Sequence, residues 1–177
     1  GGLGVRYQEE TPPEPKALIE QSLKGLREAG FKHDLLFEPG RSLVANTAVL
    51  LTQVEYLKHN EDKNFAIVDA GMNDFIRPAL YQAWVGVENC TARSDAPENI
   101  YDVVGPVCES GDWLAQERAL RVVQGDVLAV LSAGAYGFSM SSNYNTRTRA
   151  AEVWVDDDAV QVIRRRECLE DLWALEL

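Results

Sequence analysis

The most reactive side chain of the sequence lies in a short loop that is bracketed by glycine and proline. Cys108 and Glu109 stand side by side within residues 105–112, Gly-Pro-Val-Cys-Glu-Ser-Gly-Asp. A lone cysteine is most often a small buried apolar residue, but these surroundings favour a displayed, reactive thiol. A Cys–His arrangement with His33 or His59 as the base is the competing interpretation, although neither histidine lies in a glycine-rich or polar loop.

A second group of functional side chains is Glu38-Pro39-Gly40-Arg41, which follows the wholly apolar run Leu35–Phe37. An apolar run right after a helix predicts a strand that is buried on both faces of a parallel sheet. Ligands bind at the carboxyl ends of such strands in α/β folds. The segment therefore predicts a ligand-binding turn, and the simpler interpretation is a salt bridge between Glu38 and Arg41.

Three further groups could contact a ligand. Arg77 and Tyr81 are four residues apart, so on a helical turn they share a face, and a cation beside a phenol suits a carboxylate. The alternative is ordinary surface with Tyr81 half-buried. The glycines within residues 1–4 would let backbone N–H groups approach an anion, although a plain turn fits equally well. Residues 134–145 form a polar, aromatic-bearing loop, for which a long hairpin connection is the simpler interpretation.

The elements that must position these residues change in character near residue 45. Apolar spacing predicts an amphipathic helix over Glu14–Ala29, and helical turns near Phe75–Tyr81 and Cys168–Leu175. The rest of the chain predicts short strands between turn residues, as in an antiparallel sandwich or barrel: Ala48–Tyr56, Phe65–Asp69, Ala83–Asn89, Ile100–Val104, Ala119–Val123, Val127–Leu131, Glu152–Val155 and Ala159–Arg164.

Composition narrows the functional classes. The 177 residues carry a net charge of −11, which disfavours partners with phosphate backbones or anionic membrane surfaces. Three widely spaced cysteines without a CxxC pattern indicate reduced thiols of a cytoplasmic protein rather than a disulfide framework or a metal site. Because the chain opens inside a glycine cluster without an initiator methionine, we expect it to be a piece of a longer polypeptide.

Six ordered motifs carry a resemblance to a known family. They are GGLG (1–4), EPGRSLVAN (38–46), VDAGMNDFIRPALY (68–81), GPVCESGD (105–112), GAYGFSMSSNYN (134–145) and AEVWV (151–155) followed by IRRRE (163–167). Together they resemble the diaminopimelate decarboxylases, which belong to the alanine-racemase-like (fold type III) pyridoxal-phosphate enzymes. The resemblance implies the last elements of a (β/α)8 barrel over residues 1–45 and a C-terminal β-domain over 46–177. The fold class is then mainly β with an α/β stub, in a homodimer whose active sites are shared.

The resemblance also implies a cofactor site for pyridoxal 5′-phosphate. Glu38 matches the carboxylate that faces the pyridine nitrogen, which it keeps protonated so that the ring is a better electron sink. The other cofactor-binding positions that it implies are Gly1, Gly2, Gly4, Gly40, Arg41 and Tyr136.

For the substrate, the resemblance implies the removal of carbon dioxide from meso-2,6-diaminopimelate to give L-lysine. Arg41, Arg77 and Tyr81 match the positions that bind the carboxylate far from the reacting carbon, and Glu109 matches the one that binds the distal ammonium. Tyr136 would touch both cofactor and substrate. Cys108 matches a thiol that the partner subunit supplies as the proton donor.

One feature of the family is missing from the chain. No lysine has the context of the residue that holds pyridoxal phosphate covalently; the lysines are Lys16, Lys24, Lys32, Lys58 and Lys63. We therefore expect the chain alone to be inactive. The alternatives are an ornithine- or arginine-type decarboxylase of the same superfamily and a truncated, non-catalytic dimerisation module.

Overall fold

Short apolar runs between turn residues become strands in the computed structural model, which describes residues 2–176. The strands are β1 (Leu50–His59), β2 (Asn64–Val68), β3 (Val87–Asn89), β4 (Asn99–Val104), β5 (Trp113–Leu120), β6 (Val127–Val130), β7 (Glu152–Asp156) and β8 (Ala159–Arg164). The helices are α1 (Pro15–Glu28), α2 (Gly40–Val44), α3 (Arg77–Tyr81) and α4 (Leu169–Leu172), with 3-10 turns at Ala45–Thr47, Phe138–Met140 and Tyr144–Thr146. The mainly β class is confirmed, and none of these helices is long and apolar enough to cross a membrane.

Six strands form one curved sheet in the order β3-β6-β1-β2-β4-β5. Neighbouring strands run antiparallel except for β2 and β4, which are parallel. The predicted antiparallel barrel is therefore confirmed, with one parallel pair that the sequence analysis did not anticipate. The segment between β2 and β4 contains α3 and β3, and it is long enough for the crossover that a parallel pair requires.

The sheet curls until its two edge strands meet. A register shift in β1 between Val54 and Tyr56 marks the bend, as a bulge increases local curvature. At the far side the Arg118 guanidinium of β5 donates to the carbonyl oxygen of Val85 at 2.9 Å. The Asn89 amide at the end of β3 likewise donates to the carbonyl oxygen of Arg121 at 2.9 Å. These side-chain bonds hold the edges together, so the sheet is a nearly closed barrel.

The inside of this barrel is the hydrophobic core. Alternate residues of the strands point inward, and Phe75 and Val85 from the crossover segment join them. The residues with almost no exposure include Val54, Val68, Phe75, Val85, Tyr101, Val103, Leu114, Leu128 and Val130. Phe75 also fixes the turn that leads into α3, because its side chain is buried in this core and its N–H donates to the carbonyl oxygen of Gly71 at 3.2 Å.

The two-stranded sheet of β7 and β8 has a different environment. The strands pair antiparallel, yet every residue of β8 and most of β7 is exposed. Large apolar side chains of the hairpin, such as Trp154 and Val160, are among the exposed ones. The hairpin therefore contributes little to the core.

The segment before the barrel contains the predicted amphipathic helix, which is confirmed as α1 within one residue at each end. Its Leu18 and Ile19 line a small apolar cavity together with Leu3, Phe37 and Leu43. The predicted strand Leu35–Phe37 is wrong: the segment has no strand pairing, and Leu36 is 96% exposed. A buried parallel strand needs neighbours on both sides, and the described residues supply none here.

One strand of the barrel was predicted in the wrong place. The expected strand Ala119–Val123 is observed as β5, Trp113–Leu120, so its first six residues were missed. Gln116, Glu117 and Arg118 interrupt the apolar alternation there. Glu117 has a φ of 58°, which places a kink in the middle of the strand and shifts its register against β4.

Candidate active site

Helix α3 presents Arg77 to the interior of the protein. The turn before it is closed by the Asp74 carboxylate, which accepts the N–H of Gly71 at 2.9 Å. Burial, above all, raises the pKa of Asp74. Phe75 and Pro78 are buried on either side of Arg77, so the helix start is fixed to the core. As a result Arg77 is 8% exposed, a burial that is rare for an arginine without a partner.

The Arg77 guanidinium lies between two tyrosine rings. Its Cζ atom is 4.9 Å from the ring centroid of Tyr7 and 5.9 Å from that of Tyr136. Within residues 2–176 its Nη1 atom has no hydrogen-bond partner, and the hydroxyl of Tyr7 has none either. A buried guanidinium that is held by aromatic rings but lacks an acceptor is costly in the free protein. The arrangement suits an incoming anion.

Tyr136 is placed here by two glycines that allow close backbone approach. A Cβ atom at Gly134 would lie 1.8 Å from the carbonyl oxygen of Val44, and one at Gly137 would lie 2.2 Å from that of Ala133. Tyr136 itself has a φ of 60°, a left-handed conformation that is unfavourable for a bulky residue. Such strain at a ligand site is typical of functional positions.

Tyr7 is a residue that the sequence analysis missed. It lies in a bend that the Glu10 carboxylate closes by accepting the N–H groups of Gln8 at 2.7 Å and Tyr7 at 3.1 Å. These backbone hydrogen bonds, led by that of Gln8, lower the pKa of Glu10. Nothing in the local spacing indicates Tyr7, because its partner Arg77 is seventy positions away.

The loop with Cys108 and Glu109 joins β4 to β5, and Asp112 anchors it. The buried Asp112 carboxylate accepts the N–H of Val107 and that of Met72, each at 2.6 Å. The anchor ties this loop to the turn that precedes α3. Cys108 and Glu109 are both exposed, which confirms the displayed position that the sequence predicts.

Besides the Asp112 anchor of its loop, Glu109 has a side-chain hydrogen bond that the sequence analysis did not identify. The Tyr144 hydroxyl donates to its Oε2 atom at 3.1 Å, and this hydrogen bond raises the pKa of Tyr144. The signal was present, because Tyr144 lies in the polar loop 134–145, but its partner could not be inferred from spacing.

The structure does not bring every candidate side chain together. Tyr81 ends the helix that Arg77 begins, as the spacing predicts, yet Tyr81 is 61% exposed while Arg77 is buried. Among residues 2–176 no hydrogen bond, ion pair or ring contact links Arg77 or Tyr136 to Cys108 or Glu109. The histidines are engaged elsewhere, His59 with the Tyr101 hydroxyl and His33 against the Phe31 ring.

Comparison with known proteins decides the family. Residues 23–134 match the sequence profile described as pyridoxal-dependent decarboxylase, C-terminal sheet domain. The chain belongs to this family. It is 59% identical to the diaminopimelate decarboxylase of Pseudomonas aeruginosa and 54% identical to that of Vibrio cholerae, in each case over 99% of this chain and 42% of the relative.

A solved structure agrees with the sequence match. The diaminopimelate decarboxylase of Helicobacter pylori complexed with L-lysine superposes with a TM-score of 0.89 at 43% identity, over 99% of this chain and 43% of that chain. The chain thus spans about two-fifths of the length of the decarboxylases that it matches.

The cofactor of a pyridoxal-dependent decarboxylase has both a phosphate and a pyridine nitrogen to be bound. Gly40 begins α2, whose first N–H groups have no side-chain cap, and an uncapped helix start suits a phosphate. Gly2 is exposed with a φ of 87° and open space around it. Glu38 is exposed and has no ion pair with Arg41 in residues 2–176, so the alternative interpretation of this turn, a salt bridge between the two residues, is not observed. These residues fit the cofactor; Gly4 lies near Pro12, and Gly1 lies outside the described residues.

Proposed function

We propose that this chain is the C-terminal part of a diaminopimelate decarboxylase, which removes carbon dioxide from meso-2,6-diaminopimelate to give L-lysine in lysine biosynthesis. The observation that carries the proposal is the buried Arg77 guanidinium, which has no anionic partner within residues 2–176. The Helicobacter pylori relative complexed with L-lysine supports it, because that amino acid is the product of the proposed reaction.

The arrangement of the whole enzyme is part of the proposal. Residues 1–45 are the end of the barrel that binds pyridoxal 5′-phosphate, and residues 46–177 are the β-domain. The enzyme is a cytoplasmic homodimer in which Cys108 of one subunit completes the site of the other. Among residues 2–176 Cys108 does not contact Arg77 or Tyr136, which is compatible with a site that two subunits share.

The cofactor-facing residues act through charge and backbone donors. When bound, pyridoxal phosphate withdraws electrons from the carbon that loses carbon dioxide. Glu38 would keep the pyridine nitrogen protonated by offering it a carboxylate. Backbone N–H groups at the glycines and at the start of α2 would hold the phosphate, and Arg41 and Tyr136 would contribute to the same site; the proposed glycines are Gly1, Gly2, Gly4 and Gly40.

The substrate-facing residues recognise the end of diaminopimelate that does not react. Arg77 pairs with its distal carboxylate inside the protein, where a charge-assisted hydrogen bond is strong, and Arg41 and Tyr81 complete this grip. Glu109 accepts a hydrogen bond from the Tyr144 hydroxyl, and its carboxylate pairs with the distal ammonium. After carbon dioxide leaves, the Cys108 thiol donates a proton to the reacting carbon and becomes a thiolate.

This assignment predicts a preference for diaminopimelate over a diamine-forming substrate. Ornithine has no distal carboxylate, so its binding would leave the Arg77 charge buried and unpaired. Leaving one partner of a buried charge pair alone costs about 2–5 kcal/mol. We therefore expect a large discrimination between the two amino acids.

The test measures carbon dioxide release by a full-length enzyme in which this chain is joined to the remaining part of the Pseudomonas aeruginosa relative. We expect kcat/KM for meso-diaminopimelate to exceed that for L-ornithine by about 100-fold or more. The chain alone, supplied with pyridoxal phosphate, should show no turnover, because the family's cofactor-binding lysine is missing. Equal or faster turnover of ornithine, or turnover by the chain alone, would overturn the proposal.

A further inference from the structure

Two buried polar atoms without partners lie in one place. Within residues 2–176 the only buried side-chain nitrogen or oxygen atoms that lack a hydrogen-bond partner are the Tyr7 hydroxyl and Arg77 Nη1. The Tyr7 ring lies against the Arg77 guanidinium at 4.9 Å. Because the two unsatisfied groups belong to side chains that contact each other, we infer one missing ligand rather than two independent packing defects.

The chemistry of the two groups defines that ligand. The Arg77 Nη1 atom can only donate, and the guanidinium is charged at all ordinary pH values. A phenol hydroxyl beside it can donate as well. A carboxylate has two oxygen atoms with about four lone-pair positions, so one carboxylate can accept both hydrogen bonds. A second cation or a group that only donates could at most donate to the Tyr7 oxygen, and it could not satisfy Arg77 Nη1.

The backbone around Tyr7 is built to hold the hydroxyl there. The Glu10 carboxylate fixes the bend at Tyr7 and Gln8. One residue earlier, the carbonyl oxygen of Arg6 accepts the Asn46 side-chain N–H at 3.4 Å, and Asn46 in turn accepts the Ser132 hydroxyl at 2.9 Å. This chain of contacts connects the segment before α1 to the strand end that leads into the Tyr136 loop.

We propose that Tyr7 is a further substrate-binding residue, whose hydroxyl donates to the same distal carboxylate that Arg77 pairs with and whose ring positions the guanidinium. The inference rests on the proposed function, because that function supplies the carboxylate. Tyr7 would be a further specificity-determining residue. It lies in the segment before α1 and in none of the six motifs that carry the family resemblance. The Tyr7 ring positions the Arg77 guanidinium, and the Tyr7 hydroxyl recognises the carboxylate.

The test compares Tyr7→Phe, which keeps the ring and removes the hydroxyl, with Tyr56→Phe, a matched change at an exposed tyrosine of β1. Both are made in the full-length enzyme defined above. The readouts are KM and kcat for meso-diaminopimelate, and competitive inhibition by L-lysine and by cadaverine. L-Lysine retains the distal carboxylate, whereas cadaverine is the same carbon chain without it.

We expect Tyr7→Phe to weaken inhibition by L-lysine about 10-fold, the range of a hydrogen bond to a charged group, and to raise KM for diaminopimelate similarly. Inhibition by cadaverine should stay unchanged. The midpoint of thermal unfolding without ligand should stay the same or rise, because the substitution removes an unpartnered buried hydroxyl. Tyr7→Leu, which also removes the ring, should weaken L-lysine binding further than Tyr7→Phe.

Other outcomes would overturn the inference. Equal effects of Tyr7→Phe and Tyr56→Phe would show that the Tyr7 hydroxyl does not bind the carboxylate. A lower unfolding midpoint with equal losses for L-lysine and cadaverine would assign Tyr7 a structural role instead. If the unsubstituted enzyme turned over no diaminopimelate, the proposed function would fail. The carboxylate contact would then still be tested by direct binding of L-lysine and cadaverine to the enzyme and to Tyr7→Phe, measured by calorimetry.

Discussion

Two arginines of this chain are held in contrasting surroundings. Arg93 meets a carboxylate: its Nε atom is 3.2 Å from both Asp126 oxygens, and Asp126 also accepts the Asn89 side chain and the N–H of Val123. Arg77 is more deeply buried, and in the part of the chain that the structure describes it contacts two aromatic rings and no carboxylate. Among those residues one guanidinium has its acceptors, and the other does not.

The difference separates charges that serve stability from charges kept for a ligand. A paired buried charge stabilises the folded state only while both partners remain, and removal of one leaves the other uncompensated. An unpaired buried charge destabilises the free protein, so its retention requires another benefit. A substitution at Arg77 should therefore reduce activity more than stability, and a substitution at Arg93 should reduce stability more than activity.

The largest expected effect is the loss of activity in Arg77→Met, which keeps an unbranched but shorter side chain and removes the charge. In the full-length enzyme kcat/KM for diaminopimelate should fall by about 1,000-fold, because the pairing with a buried carboxylate is lost. The free energy of unfolding of the free enzyme should be unchanged or higher by up to about 1 kcal/mol, since a buried unpaired charge disappears.

Arg93→Met is the matched control for this substitution. It should lower the stability, because the Asp126 carboxylate loses its partner. It should leave kcat/KM of the folded enzyme near its original value, because no hydrogen bond or ion pair among residues 2–176 joins Arg93 or Asp126 to a proposed site residue. A strongly destabilised Arg77→Met variant with normal kcat/KM would contradict the distinction between the two arginines.

The next effect in size concerns Asp126, whose pKa is lowered to about 2, chiefly by the hydrogen bond with Arg93. The folded pKa lies below the usual value of 3.8, so the unfolded state binds more protons between these values. The stability that the carboxylate contributes is therefore present above about pH 4 and is lost as the pH falls toward 2.

Asp126→Asn should accordingly lower the free energy of unfolding by about 1–2 kcal/mol at pH 7, a modest figure because Arg93 is 26% exposed and solvent screens the pair. Denaturant unfolding at several pH values measures this change. The difference in free energy of unfolding between the unsubstituted protein and Asp126→Asn should become smaller from pH 4 to pH 2. A difference independent of pH would show that the carboxylate charge does not stabilise the fold.

The surroundings of Arg77 also show which features of the site can be predicted from the sequence. The i, i+4 spacing of Arg77 and Tyr81 predicted a helical turn, and α3 confirms it. Local spacing could not reveal that Tyr7 and Tyr136 close over Arg77, because those contacts arise only when the barrel brings distant segments together. The same limit applies to Asp112, whose carboxylate joins the Cys108 loop to Met72 across forty positions.

The fold shows a similar division. The strands with unbroken apolar alternation were predicted within a few residues, since a half-buried strand requires that pattern. β5 was misplaced, because polar residues and the kink at Glu117 break the alternation. Leu35–Phe37 was predicted as a strand from its apolar composition alone, but strand formation requires a neighbouring strand to accept its backbone hydrogen bonds.

The smallest expected effect concerns the exposed end of the site, where Tyr144 holds Glu109. Tyr144→Phe removes the hydroxyl, so Glu109 keeps its charge but loses one constraint on its position. Because both side chains are exposed, solvent should replace much of the lost hydrogen bond. We expect KM for diaminopimelate to rise about three-fold with kcat unchanged. Steady-state kinetics beside Tyr56→Phe measures this, and a fall in kcat with constant KM would instead connect Tyr144 to the proton transfer from Cys108.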